Sequence, residues 1–351
     1  MAHRQGPGGA LANTYFGIQY LRGIAALAVV IFHANERNGY NFVVGAAGVD
    51  VFFVISGFIM WLIAGREGLT PLTFFMDRLT RIAPAYWVAT AVMIVGALFG
   101  LLPNIVLTWQ HIAGSFLFIP HYSPAKGEIW PVLVQGWTLN YEMFFYALFA
   151  VTLFLRRGTR LPVLAAMLVV LVFWGHLFEP DNPMLATYSR PIILEFLLGI
   201  LIARWWLSEA VKPSASAGFA AFAVAAGGFC LIALTGSAFS EVVHGPLSGL
   251  LLVSLLLIER AGRLPVSRAL GYLGDSSYSI YLWHTMGIGA VLKASETFGL
   301  PSALSVVVGI LAGVALGALA YELIEKPVAR LLKRHRGWPY RGPVVETAPK
   351  A

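Results

Sequence analysis

Residues 16–35 read FGIQYLRGIAALAVVIFHAN, an apolar run of membrane-spanning length that carries an arginine at position 22 and a histidine at position 33. At about 100° per residue, the eleven steps between them turn roughly 1100°, three turns plus about 20°, so both side chains fall on one helix face. They lie about 16 Å apart along the axis at roughly 1.5 Å per residue. A charged side chain inside a membrane helix costs at least about 2.5–3.5 kcal/mol on insertion scales. The face that holds Arg22 and His33 is therefore expected to meet protein or water and not lipid. The plainer alternative is a snorkelling arginine beside an incidental histidine.

Runs of this kind recur to the end of the chain. Of 351 residues, 58% are hydrophobic and 12% charged, where soluble domains carry about 25% charged residues. The expected fold class is all-α, a polytopic helical bundle with about ten transmembrane helices. They are placed near 16–35, 43–64, 82–102, 136–155, 161–178, 191–207, 217–235, 242–258, 270–292 and 302–325. One transmembrane domain, 15–336, is expected between disordered tails at 1–14 and 337–351. The first run is long and holds Arg22, unlike the short uncharged core of a cleaved signal peptide. The single cysteine, Cys230, excludes an internal disulfide and reads as a small buried apolar residue.

A net charge of +7 invites a nucleic-acid reading, but the basic residues sit in short clusters between apolar runs, as topology signals do. With a cytoplasmic N-terminus, the inner loops collect Arg66, Arg78, Arg81, Arg156, Arg157, Arg160, Lys212, Arg260, Arg263 and Arg268. The tail adds Lys326, Arg330, Lys333, Arg334 and Arg336, while outer loops keep only Arg37, Lys126, Arg190 and Lys293. That bias favours both termini in the cytoplasm. Residues 65–81 are expected to form an inner loop whose TPLTFFMDRLTRIAP lies along the membrane surface as an amphipathic helix. Residues 103–135 read as a longer outer segment broken by Pro120, Pro124 and Pro131.

Ionisable groups within apolar runs are functional candidates by default. His33 suits removal of a proton near neutral pH. Glu36, three residues on, is placed to orient it or to be a solvated helix end. Glu142, in GWTLNYEMFFYALF, is the rival orienting carboxylate, with pairing to a buried arginine as its structural alternative. Arg78 and Arg81 share a helix face and suit a phosphate clamp, unless they are topology charges alone. Asp50 and Ser56 lie in GVDVFFVISGFIM, where Ser56 beside Gly57 reads first as a packing residue. Glu195 in RPIILEFLLG, and Tyr281 with His284 in SSYSIYLWHT, are further candidates for the same cavity. His111, His121, His176 and His244 show no metal-ligand spacing, so no metal is expected. Glu325-Lys326 reads as a neutralised helix end at the interface.

Taken together, YLRGIAALAVVIFH, GVDVFFVISGF, DRLTRIAPAYW, WTLNYEMFFY, YSIYLWHT and ELIEKP, in that order, resemble the acyltransferase family 3 membrane proteins. IQYLRGIAALAVV is similar to the exopolysaccharide O-acetyltransferase branch. The resemblance implies transfer of an acyl group, commonly acetyl, from cytoplasmic acyl-CoA to a hydroxyl of a glycan or other acceptor. It implies a multi-pass protein of the bacterial cytoplasmic (inner) membrane, in contact with membrane lipids. It also carries catalytic need onto Arg22, His33, Arg78 and Arg81, and maps the family's glutamate onto Glu142. Some relatives have a further hydrolase-like domain. Here the acceptor is expected to enter the membrane cavity directly, or a partner protein to finish the transfer.

The expected mechanism docks acetyl-CoA phosphates on Arg78 and Arg81 and threads the pantetheine arm past Arg22. His33, oriented by Glu142 or Glu36, then deprotonates the acceptor hydroxyl; a covalent acyl-His33 intermediate is the variant. The rival reading is a secondary transporter, although the paired inverted repeats common in transporters are not evident.

Overall fold

In this computed structural model the described residues are 15–66, 68–208 and 211–336. The tails expected to be disordered, 1–14 and 337–351, lie outside them. Every element among the described residues is helical. In chain order they are α1 (Phe16–Arg37), α2 (Gly48–Ala64), α3 (Pro71–Leu98), α4 (Trp109–Phe116), α5 (Gly136–Thr152), α6 (Arg157–Phe178) and α7 (Pro183–Tyr188). There follow α8 (Leu194–Trp206), α9 (Ala215–Thr235), α10 (Glu241–Arg260), α11 (Arg268–Phe298), α12 (Ser302–Ala320) and α13 (Lys326–Arg336). Among the described residues, seven helices are long and apolar enough to cross a membrane. Of the other expected spans, α5 and α8 have 17 and 13 residues, and α11 has 31 but carries a polar stripe.

The helix boundaries follow local chemistry. Thr70 accepts a hydrogen bond from the Thr73 amide and is followed by Pro71, which starts α3. Ser267 does the same for Leu270 at the start of α11, and Gly299, at φ +67°, ends it in a conformation that costs glycine little.

The third span differs from expectation. Instead of a surface helix at 65–81 and a span from 82, one helix runs from Pro71 to Leu98 with Pro84 inside it. The proline removes one backbone bond, yet α3 stays continuous because α5 and α11 pack along it. The Tyr278 hydroxyl also donates to the Ile82 carbonyl at 2.8 Å. Cys230 likewise departs from its expected burial. It is exposed, because α9 leans chiefly on α10 and turns most of its surface outward.

Helix α1 sits centrally, packed against α2, α10, α11 and α12. It runs beside α11 so closely that a Cβ on Gly274 would collide with the Gln19 backbone. The α2–α8 crossing is tight in both directions. A Cβ on Gly57 would fall on the Phe196 carbonyl oxygen, and one on Gly199 on the Val54 carbonyl oxygen. Small residues that let backbones meet are how helices associate where lipid offers no hydrophobic drive. Beside this crossing, Phe53, Phe196 and Phe145 stack with centroids 4.6 and 4.3 Å apart, fastening α5 to it.

Candidate active site

Between α1, α2, α3, α5 and α11 lies a cavity of about 120 Å³. Its polar lining is Arg22, Ser56, Arg78, Arg81, Thr138 and Glu142, with Tyr146, Tyr278 and Tyr281; Phe53, Ile55, Ile59 and Met60 contribute carbon. Pockets for whole drug-sized ligands run to about 300–1,000 Å³, so this one suits the end of a molecule and not a whole nucleotide. Glu142 accepts a hydrogen bond from Ser56 Oγ at 2.9 Å. Arg22 Nη1 donates to Gln19 Oε1 at 3.3 Å, and Gln19 in turn donates to Asp275 at 3.1 Å. Three arginines and one carboxylate facing one apolar-walled space make it strongly anion-attracting.

Arg81 is steadied from an unexpected direction. At 321–325 the chain widens into a π-turn before α13, a form frequent at functional sites. Its last residue, Glu325, is buried, accepts from Ser279 Oγ at 2.6 Å and faces Arg81 Nη1 at 3.9 Å. Lys326 pairs instead with Glu322, at 2.7 Å. The reading of Glu325-Lys326 as a neutralised interfacial pair is thus corrected. The π-turn rotates the two side chains onto different faces, Glu325 inward and Lys326 to the residue four before it.

His33 lies outside this lining, towards the other end of α1. Its Nδ1 is 3.1 Å from Glu36 Oε2, and its ring stacks on His284 with centroids 5.2 Å apart. With Nδ1–H donating to the carboxylate, Nε2 carries the lone pair. His284 is fully buried; its Nδ1 faces the Tyr281 carbonyl at 2.8 Å, and its Nε2 has no partner. Of the two carboxylates considered as orienting groups, Glu36 touches His33 and Glu142 bonds Ser56.

A hydrogen-bonded layer lies between cavity and imidazoles. Thr138 Oγ1 is 3.0 Å from Tyr281 Oη, and Thr138 also donates to the Gln135 carbonyl at 3.0 Å. Gln135 Nε2 donates to Thr285 Oγ1 at 2.5 Å, and the Thr285 carbonyl accepts from Arg37 at 3.1 Å. Tyr281 and His284 are an i, i+3 pair on one face of α11 and were legible as such; Thr138 and Gln135, 143 and 150 residues from their partners, carried no signal.

Asp50 and Glu195 do not line the cavity. They face each other across the α2–α8 crossing, with His244 of α10 nearby. Beside them Arg190 pairs with Glu241. A separate histidine pair, His111 and His121, meets at 2.8 Å near α4. Burial, with His121 as the second cause, pushes the His111 imidazole down to about 4. Among the described residues, no group of three or more His, Cys, Asp or Glu side chains could hold a metal ion.

This multi-pass helical bundle holds a cavity lined by three arginines, with the His33 imidazole beyond it along α1. The chain belongs to acyltransferase family 3: the family described as "Acyltransferase domain" matches residues 15–322. It is therefore an acyltransferase and not the transporter that stood as its rival. Over 301 residues it is 50% identical to the exopolysaccharide production protein ExoZ of Rhizobium meliloti (strain 1021), covering 86% of this chain and 95% of that protein. It is 30% identical to the putative membrane-bound transacylase BcsY of Komagataeibacter xylinus, over 88% and 81% of the two chains. It is 24% identical to the O-acetyltransferase OatA of Staphylococcus aureus (strain NCTC 8325 / PS 47), over 90% of this chain and 57% of that one. No solved structure gives a significant match.

Proposed function

We propose that this protein moves an acyl group, with acetyl as the donor to test, from cytoplasmic acyl-CoA to a hydroxyl of an extracytoplasmic or lipid-linked glycan, with His33 as general base. The observation that carries the reading is the polar axis along α1: a cavity with Arg22, Arg78 and Arg81 at one end, and the His33–Glu36 pair towards the other. Both termini are taken as cytoplasmic, from the basic-residue bias. The half-exposed Arg81 then stands at the cytoplasmic mouth, where CoA phosphates meet Arg78 and Arg81. The small volume of the cavity suits the thioester end of the pantetheine arm. The names of the relatives support acyl transfer to a glycan: exopolysaccharide production for ExoZ, O-acetylation for OatA.

In this reading His33 Nε2 takes the acceptor's proton while Glu36 holds Nδ1–H, fixing the tautomer and stabilising the imidazolium that forms. Glu142 bonds Ser56 and sits among the cavity arginines, so its part is to shape the donor site. The test is transfer of labelled acetyl from acetyl-CoA to the glycan fraction of host membranes lacking the gene, supplied with purified protein. General-base catalysis contributes about 10²–10⁴-fold, so His33→Ala should lose that much turnover with an unchanged melting temperature. Near-wild-type transfer by a folded His33→Ala protein overturns the assignment.

A further inference from the structure

We propose that the Tyr281 hydroxyl, supported by that of Thr138, is the donor that stabilises the oxyanion formed during transfer. This rests on the donor and base assigned above and names the group that completes them. Tyr281 and Thr138 belong to the cavity lining, and from Tyr281 a line of rings leads out of the cavity. The His284 centroid is 6.1 Å from that of Tyr281, and the His33 centroid is 5.2 Å from that of His284. A thioester carried up from the arginine end thus meets Tyr281 on its way to His33.

Tyr281 and Thr138 are 6% and 4% exposed, so their hydroxyls act where little water competes. Both hydroxyls are turned to the Gln135 carbonyl, Thr138 donating at 3.0 Å and Tyr281 at 3.4 Å, and they lie 3.0 Å from each other. A carbonyl oxygen arriving there can take the Tyr281 donor over, and Thr138 can turn to it as a second. Two further donors near this layer are engaged or distant. Gln135 Nε2 is bound to Thr285, and Arg22 lies about 16 Å from His33 along α1. Both hydroxyls are held by long-range contacts: Phe52 packs edge-on against the Tyr281 ring at 5.8 Å. That prior ordering is what makes such a donor effective.

His33 Nε2 takes the hydroxyl proton as the acceptor oxygen bonds to the thioester carbon, and the carbonyl π pair moves onto oxygen, facing Tyr281 O–H. As that pair returns, the C–S bond breaks, and the imidazolium gives its proton to the departing thiolate. The products are the ester and CoA-SH, with no net proton.

The experiment uses full-length protein in host membranes lacking the gene, with acetyl-CoA labelled in the acetyl group, following labelled glycan and released CoA thiol. Tyr281→Phe should lower kcat by about 10²–10³-fold, as loss of one oxyanion donor does, with KM for acetyl-CoA within about twofold and melting unchanged. Thr138→Val should lower kcat less, and Thr138→Ser should restore it. A merely structural tie between α5 and α11 predicts otherwise: in Tyr281→Phe kcat and melting temperature fall together while KM rises, which overturns the proposal. So does a kcat within threefold of wild type. If Tyr281→Phe does not fold, equal kcat in Thr138→Val and Thr138→Ser overturns it. Loss in Tyr281→Phe beside full activity in His33→Ala supports the hydroxyl and strikes the base; the reverse pattern strikes the hydroxyl and leaves the base.

Discussion

Replacing Glu325 tests how the π-turn serves the cavity, and the structure sets the sizes. The carboxylate has two tasks: it accepts from Ser279 at 2.6 Å and lies 3.9 Å from Arg81. The Arg81 side chain is 41% exposed, so the ion pair is worth at most about 1 kcal/mol, about fivefold in an equilibrium constant. Glu325→Gln keeps an acceptor oxygen for Ser279 and loses only the charge. It should raise KM for acetyl-CoA by no more than about fivefold and leave melting unchanged. Arg81→Ala removes the proposed phosphate contact itself. Charge-assisted hydrogen bonds are worth about 1.5–3 kcal/mol, so KM should rise about 10–150-fold. Glu325→Ala leaves the buried Ser279 hydroxyl without its carboxylate partner, a cost of about 1–3 kcal/mol in stability. Steady-state transfer with labelled acetyl-CoA and thermal unfolding by intrinsic fluorescence give both quantities. A Glu325→Gln protein whose KM rises as far as that of Arg81→Ala refutes this division of labour, as does a Glu325→Ala protein that melts like wild type.

Two further predictions concern stability. Gly57→Ala sets a methyl group on the Phe196 carbonyl oxygen, where neither backbone can yield without parting α2 from α8. Overpacking of this kind costs about 1–3 kcal/mol or more; a melting temperature within a degree of wild type would contradict the crossing. The His111 imidazole, held down to about 4, stays neutral in the folded protein while the unfolded chain takes up its proton near pH 6.5. The unfolded state therefore binds more protons between those values, so stability falls as pH drops from about 6.5 to 4. His111→Asn, which keeps a donor towards His121, should reduce the loss in melting temperature between pH 7 and pH 5; an unaltered loss would assign it to other groups.

What the sequence could express was whatever depends on neighbours along one helix. The Arg22–His33 stripe, the three-residue spacing of Arg78 and Arg81, and the approach of Glu36 to His33 all follow from the helical period. What it could not express depends on packing between helices. Glu325 finds Ser279 46 residues away, and Tyr281 finds Thr138 143 residues away, pairings that no local period encodes. The break expected before residue 82 failed for a related reason, with Pro84 close by in the sequence. The cost of a proline is local and visible, whereas the packing of α5 and α11 that keeps α3 whole is neither. Cys230 shows the converse: apolar surroundings in sequence say nothing about whether protein or lipid covers a helix.

The α2–α8 crossing also bears on how the protein is made. Asp50 and Glu195 are each buried, and their partner across the crossing is a segment 145 residues distant. Translation proceeds at roughly 5–20 residues per second, so α2 waits on the order of ten seconds or more for α8 to leave the ribosome. During that interval its carboxyl group has neither Glu195 nor His244, and the Gly57 groove lacks the backbone that fills it. A chain arrested before α8 should therefore leave α2 loosely held and open to quality-control proteases. Mutations at this crossing would then reduce the amount of protein in the membrane before they reduced the rate of any molecule that completed assembly.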